Sequence, residues 1–346
     1  MSKNTKVTDV FSAKKVAIPI VIGLLVATYM LWNKTDWKTF QQIDWNYTMF
    51  YWLLIALLMM VIRDLGYMYR IRVLTDNKLS WRQSFDVIML WEFASAITPS
   101  VVGGSGVAMF ILNKEGISLG KSTAVIMVTA FLDELFYILT VPMVVVLIGT
   151  TYLFPIELSK EIAGYTLSTK EIFYVGYGFI VLLTTLILYG VFVNPLGIKK
   201  LLYRLFSFKL LKRWQKTVIQ LGSDMIKTSQ ELKEKNSWFW IKAFAATCFS
   251  WTARFWVVNF IILMFTDVGS HFLIYGRQLV MWVIMLISPT PGGTGIAEFA
   301  FDGFLKDFIP IGLAGLLVVL WRLISYYPYL FIGAIILPKW FRKRAD

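Results

Sequence analysis

A single cysteine, Cys248, and a single histidine, His271, occur in the whole chain of 346 residues. No disulfide can form within it, and zinc sites of the usual Cys and His kind are excluded. Charge is also scarce, at 16% of residues against the ~25% usual for soluble domains. There is no Walker-type glycine loop, so nucleotide hydrolysis by that route is excluded. No small-residue cleavage site follows the polar, Lys-bearing N-terminus, which predicts that the first apolar run is retained. No cofactor is expected.

Apolar length is what the chain has in abundance. Hydrophobic residues make up 58%, including 14 Trp, 27 Phe and 16 Tyr. Several continuous runs reach the ~20 residues that cross a bilayer as a helix, where a β-barrel would show short alternating segments. The fold class predicted is an all-α polytopic membrane protein. Six spans are expected at 16–32, 47–62, 121–149, 172–193, 238–265 and 311–337.

The net charge of +13 then describes loops on an anionic lipid surface, with no nucleic-acid partner expected. Basic residues gather at the N-terminus, in 63–82 (Arg63, Arg70, Arg72, Lys78, Arg82), in the amphipathic segment 194–236 and in the tail. With six spans, these four clusters share one side, so both termini are expected in the cytoplasm. Segment 64–82 reads as an interfacial elbow, and 194–236 as amphipathic helices at the cytoplasmic surface.

Two stretches say nearly the same thing. Residues 97–110 run Ile-Thr-Pro-Ser-Val-Val-Gly-Gly-Ser-Gly-Val-Ala-Met-Phe, and 287–299 run Ile-Ser-Pro-Thr-Pro-Gly-Gly-Thr-Gly-Ile-Ala-Glu-Phe. Each interrupts an apolar segment. The expectation is two re-entrant hairpins, 84–113 broken at Pro99 and Gly103-Gly104, and 272–305 broken at Pro289, Pro291 and Gly292-Gly293. By the charge pattern they enter from opposite faces. The halves 47–149 and 238–337 are then an inverted repeat within one domain, the plan of many secondary transporters. The glycines Gly103, Gly104 and Gly106 with Ser105, and Gly292, Gly293 and Gly295 with Thr294, are expected to expose backbone N–H groups. Followed by a half-helix, such loops suit an anion. Glycines that only permit close packing are the plainer reading.

Charged residues at membrane depth cost at least ~2.5–3.5 kcal/mol on insertion scales, so each is a site candidate. Here they are Glu92, Asp133, Glu134, Arg254, Arg277, Glu298 and Arg322. Asp133 follows Gly103 by 30 residues and Arg322 follows Gly292 by 30, which makes them equivalent in the repeat with opposite sign. The expectation is that Asp133 or Glu134 pairs with Arg322, either beside a substrate path or as a structural lock. Glu298 begins a half-helix, where the dipole favours a carboxylate. Arg254 shares a face with Thr247 and Ser250, expected to meet a cavity, and Glu92 shares one with Ser95 and Thr98. Arg277 is either a site residue or a snorkelling one, and His271 reads as interfacial.

The stretch Pro-Gly-Gly-Thr-Gly-Ile-Ala-Glu at 291–298, followed by a helix with a mid-membrane Arg322, resembles the flippase-like family. That family includes the membrane region of lysylphosphatidylglycerol synthases (multiple peptide resistance factors), and the likeness covers about 10–340. The resemblance implies lipid translocation. It assigns Pro291, Gly292, Gly293, Gly295 and Glu298 to the family's outer loop and Arg322 to its final-helix arginine. Where many members carry a Glu and an Arg after the first Pro loop, this chain has Gly106 to Met109. No synthase domain is expected before the end at Asp346. The reading is a non-enzymatic lipid translocator of a bacterial inner (cytoplasmic) membrane, its cargo a polar-headed and phosphate-bearing lipid. The alternatives are a membrane-embedded lipid-linked transferase, or an accessory partner of a lipid-modifying enzyme.

Overall fold

The computed structural model describes residues 13–98, 101–155, 159–162, 165–205, 207, 223, 226, 229–285, 293 and 295–344. In chain order, the helices are α1 (Ala13–Lys34), α2 (Trp37–Gln41), α3 (Tyr47–Leu74), α4 (Trp81–Ile97), α5 (Val101–Lys114), α6 (Leu119–Ile148) and α7 (Thr150–Leu153). A two-stranded antiparallel hairpin follows, β1 (Ser159–Ile162) with β2 (Tyr165–Ser168), pairing Ser159 with Ser168 and Ile162 with Tyr165. Then come α8 (Thr169–Leu188), α9 (Pro195–Leu205), α10 (Ser237–Leu263), α11 (His271–Met285), α12 (Ile296–Leu305), α13 (Ala314–Ser325) and α14 (Tyr327–Arg344). That hairpin is the exception to an otherwise helical molecule among the described residues.

Five stretches are long and apolar enough to cross a membrane: α3, α6, α8, α10 and the run Ala314–Lys343. Several helix starts are chemically marked. Asn46 accepts the Met49 N–H at 3.1 Å and Asn236 the Phe239 N–H at 3.0 Å, while Ser80 with Gln83 and Ser168 with Glu171 form capping boxes. Each cap satisfies N–H groups that the first helical turn leaves without a partner.

Three expectations need correction. First, the interfacial elbow at 64–82 does not exist as drawn, because α3 continues to Leu74 and buries Arg63 (0% exposed) and Arg70 (5%). Two of the five cations counted on that segment therefore belong to the interior, with Arg72, Lys78 and Arg82 left beyond them. Second, the first glycine pair is not a break. The interruption falls at Thr98, whose backbone is extended (φ −100, ψ 139), as expected of a residue preceding proline. Gly103, Gly104 and Gly106 lie inside α5. Third, the last span is not one straight helix. It is broken at Tyr326 (φ −129, ψ −57), two residues before Pro328, which has no N–H to continue the ladder. The first part of the basic stretch is helical as α9, and its residues 208–222 lie outside the described residues.

Close helix approach explains Gly66 and Gly104, whereas Gly293 (φ 68) and Gly295 (φ 88) use the left-handed backbone that glycine permits. α3 and α10 form the most extensive helix pair. A Cβ on Gly66 would collide with Ser250 and lie 3.3 Å from the Ala246 carbonyl oxygen. The Ser250 hydroxyl donates back to the Arg63 carbonyl at 3.1 Å, stitching the two helices at the same level. Gly104 is likewise buried against Ser95, which lets α5 pack on α4. Small residues at such crossings are the usual means of packing helices in lipid. At one end of the bundle, Asp76 takes Lys121 Nζ at 2.5 Å and Lys235 Nζ at 2.6 Å, joining the α3–α4 turn to the starts of α6 and α10.

Candidate functional site

Polar side chains on α3, α4, α6, α10 and α13 converge on one cavity of about 300 Å³. Its wall includes Arg70, Glu92, Asp133, Glu134, Arg254 and Arg322, together with Ser95, Thr98, Ser105 and Gly293. Trp91, Trp251, Trp282 and Trp321 supply much of its apolar surface. Of the seven intramembrane charges singled out from sequence, Glu92, Asp133, Glu134, Arg254 and Arg322 therefore meet at one place.

The charges are organised into three clusters. In the first, Arg63 is held by Asp64 at 2.8 Å, by the Tyr329 hydroxyl at 2.6 Å and by Glu92. Tyr329 in turn donates to Asp64 at 2.9 Å. In the second, Arg70 forks onto Asp133, Nη1 to Oδ1 at 2.5 Å and Nη2 to Oδ2 at 3.3 Å, and also donates to Thr247 at 3.0 Å. The Trp251 indole N–H donates to Asp133 at 2.8 Å. Tyr67 lies between these clusters, with the Arg63 and Arg70 guanidinium carbons 4.5 and 4.6 Å from its ring centroid. In the third, Arg322 Nε meets Glu298 Oε1 at 2.8 Å, and the other oxygen of Glu298 accepts the Gly295 N–H at 2.6 Å. Buried charges in such geometry need both the ion partner and the extra hydrogen bonds to be tolerated.

These contacts overturn the expected pairing of Asp133 or Glu134 with Arg322: Asp133 belongs to Arg70, and Arg322 to Glu298. Repeat symmetry pointed to the right residues and the wrong partners, because it could not see the two arginines on α3. Their signal was available. Arg63, Tyr67 and Arg70 fall at i, i+4 and i+7, one face of one helix, which is the pattern of an inward stripe.

The remaining site candidates divide. Thr247 and Ser250 face α3 rather than the cavity, both fully buried. Arg277 lies away from the cavity. It ties α11 to α7 through the Tyr152 carbonyl (2.9 Å) and to the end of α12 through the Phe304 carbonyl (3.0 Å) and Asp307 (2.8 Å). Only 5% of it is exposed. Gly103, Gly104 and Gly106 lie within the first turns of α5, so the glycines expected in a loop are helical. Pro99, Pro289, Pro291, Gly292 and Thr294 lie outside the described residues. His271 hydrogen-bonds Asn259 at 3.0 Å and stacks on Trp256.

Not every polar group is matched. Arg254 has no carboxylate or hydrogen-bond partner among the described residues. Its guanidinium lies 4.3 Å from the Trp282 ring centroid and 5.5 Å from that of Trp251. Across the wall on α6, Thr129 Oγ1, Glu134 Oε2 and the Tyr137 hydroxyl are buried without a protein partner.

The family model described as the lysylphosphatidylglycerol synthase TM region matches residues 16–333. The chain belongs to that family. A relative within it is a UPF0104 membrane protein from Archaeoglobus fulgidus, 29% identical over 335 residues that cover 91% of this chain and 95% of that protein. The synthase-TM-region match includes every charged residue of the cavity wall, from Arg70 to Arg322. The protein is a multi-pass integral membrane protein of this family.

Proposed function

We propose that this protein is a lipid translocator, which moves a polar-headed lipid between leaflets by way of the charged cavity and performs no covalent chemistry on it. One observation carries the reading: a cavity of about 300 Å³ lined by acidic and basic side chains sits among helices long enough to span a membrane. A volume of this size suits a head group, while pockets for whole drug-sized ligands start at roughly the same figure. The acyl chains then stay in the bilayer. Burying so many charges is costly in lipid, and intramembrane ionisable groups facing a cavity characteristically mark a substrate path.

The helix pairs α4–α5 and α11–α12 act in this proposal as the two re-entrant elements of an inverted repeat. α4 has 17 residues, α5 14, α11 15 and α12 10, each shorter than the ~20 residues of a typical crossing. The two members of each pair pack together. The membrane is the cytoplasmic one, with both termini inside and the basic stretch around α9 resting on anionic lipid.

The test is reconstitution in liposomes bearing a fluorescent phospholipid in both leaflets. Addition of a membrane-impermeant quencher should reach more than the outer half of the dye in vesicles holding the wild type, and close to half in vesicles holding Arg254→Ala. Arg254 is the residue to change because it joins none of the ion clusters that hold helices together. No movement of any phospholipid by the folded wild type overturns the proposal.

A further inference from the structure

We infer that Glu134 is a proton-binding site that governs the cavity: the cavity closes on one side and opens to the other only while a proton neutralises that carboxylate. The effect on lipid movement rests on the translocator reading; the proton site does not. The interior holds one more carboxylate than arginine, with Asp64, Glu92, Asp133, Glu134 and Glu298 set among Arg63, Arg70, Arg254 and Arg322. Counting Arg254 in full therefore still leaves these groups one positive charge short. The contacts show where. Asp64 and Glu92 both touch Arg63, Arg70 forks onto Asp133, and Arg322 meets Glu298. Glu134 joins no ion pair among the described residues, and its Oε2 is buried without a protein donor. Its neighbour in the chain is Asp133, a like charge.

The surroundings decide what that charge is. On the walls of the cavity, α3 presents Tyr67 and Arg70, α4 Glu92, α10 Arg254, α13 Arg322, and the break and α14 Tyr326 and Tyr329; α5 and α11 present Ser105, Trp282 and Met285. α8 also packs on α6 and brings Tyr177, which donates to the Ile138 carbonyl at 3.0 Å. While the cavity is open, water solvates an ionised Glu134. Once closure expels the water, the carboxylate has neither counter-ion nor donor, which is the most unfavourable way to bury one. A proton on Oε2 removes the charge and turns the acceptor into an O–H donor. The Tyr137 hydroxyl lies one turn further along the same helix, in a side chain 3% exposed, and is likewise buried without a protein partner. A metal ion would instead need a shell of several oxygens, and no group of three or more His, Cys, Asp or Glu suited to one occurs among the described residues. The proton arrives from water on the open side and returns to water when Glu134 ionises again; nothing else is consumed.

Two measurements on the full-length protein test this. Infrared spectra in detergent, titrated from about pH 5 to about pH 9, should show the carbonyl stretch of a carboxylic acid that fades as pH rises. That band should be missing in Glu134→Gln and kept in Glu134→Asp. In liposomes, leaflet exchange of a fluorescent phospholipid by the wild type should slow by about tenfold per pH unit at the alkaline end, the limit for one required proton. Glu134→Gln holds the neutral form permanently, so its exchange should be independent of pH and faster than the wild type's at the highest pH. Glu134→Asp should keep the pH dependence, separating the proton from folding. A flat wild-type profile, a Glu134→Gln profile as steep as the wild type's, or a folded Glu134→Gln that moves no lipid at any pH overturns the inference. Exchange that follows Na+ concentration and not pH overturns the proton in favour of a metal ion. A Glu134-dependent acid band without leaflet exchange supports the proton site and overturns translocation; leaflet exchange without that band does the reverse.

Discussion

The Arg322–Glu298 pair gives the sharpest test of the charged interior. Their side chains are 6% and 4% exposed, so neither charge has recourse to water when the other is removed. Changing Glu298→Gln keeps an oxygen to accept the Gly295 N–H, so the variant reports on the charge and not on the loop. Arg322→Met keeps much of the side-chain volume beside Trp321 and Tyr326. Each single change leaves one buried ion without its counter-ion, a loss of ~3–5 kcal/mol for pairs of this kind. The double variant leaves none. It should be more stable than the sum of the two losses predicts by roughly 2–3 kcal/mol, at the upper end of coupling for contacting residues. Reversible unfolding in mixed detergent micelles, followed by tryptophan fluorescence, measures all four corners of the cycle. Additivity within ~0.5 kcal/mol would mean the pair is solvated or replaceable, and the picture of a dry clamp between α12 and α13 would be wrong.

Two further outcomes follow from the packing and from the Asp76 junction. Gly66→Val should destabilise by ~1–3 kcal/mol, the usual range for overpacking, because its Cβ meets Ser250 and the Ala246 carbonyl; a thermal melt in detergent equal to the wild type would refute the close α3–α10 contact. Asp76 lies in the turn beyond α3. Partial burial raises its pKa, but hydrogen bonds from Lys121 and Lys235 outweigh this and hold it below the ordinary carboxylate value. A folded-state pKa below the unfolded one adds stability that is present above about pH 4 and is lost as pH falls through the lowered value. Asp76→Asn tolerates the same left-handed backbone (φ 55). Its melting temperature should be lower than the wild type's at pH 7 and fall less between pH 5 and pH 3; parallel curves would show that the junction contributes nothing.

The residues of the site were more legible than their partners. Glu92, Asp133, Glu134, Arg254 and Arg322 stand out because an apolar run makes any charge conspicuous, and all five reach the cavity. Arg63 and Arg70 were hidden by context. They lie in a stretch where Arg72, Lys78 and Arg82 follow, so local composition resembles an interfacial loop, and only the one-sided spacing with Tyr67 betrays the helix. The glycines misled for a related reason. Pro99 alone suffices to end α4, which frees Gly104 to serve helix contact with Ser95. Spans were legible from length, whereas the break at Tyr326 depended on Pro328 inside a segment otherwise apolar enough to read through.

The ion clusters also bear on how the chain enters the bilayer. Arg63 and Arg70 make α3 a poor passenger by itself, since a central arginine adds ~2.5–3.5 kcal/mol to insertion. Their carboxylates, Asp64, Glu92 and Asp133, are all translated by residue 133, whereas Arg322 waits only 24 residues after Glu298. Arg63, Arg70 and Arg322 thus each find a counter-ion within their own half of the polypeptide. The first half can neutralise itself at the translocon before the second emerges. Stalled nascent chains ending after α6 should therefore integrate α3 more completely than chains ending before α4. Equal integration at both lengths would show that α3 enters unaided.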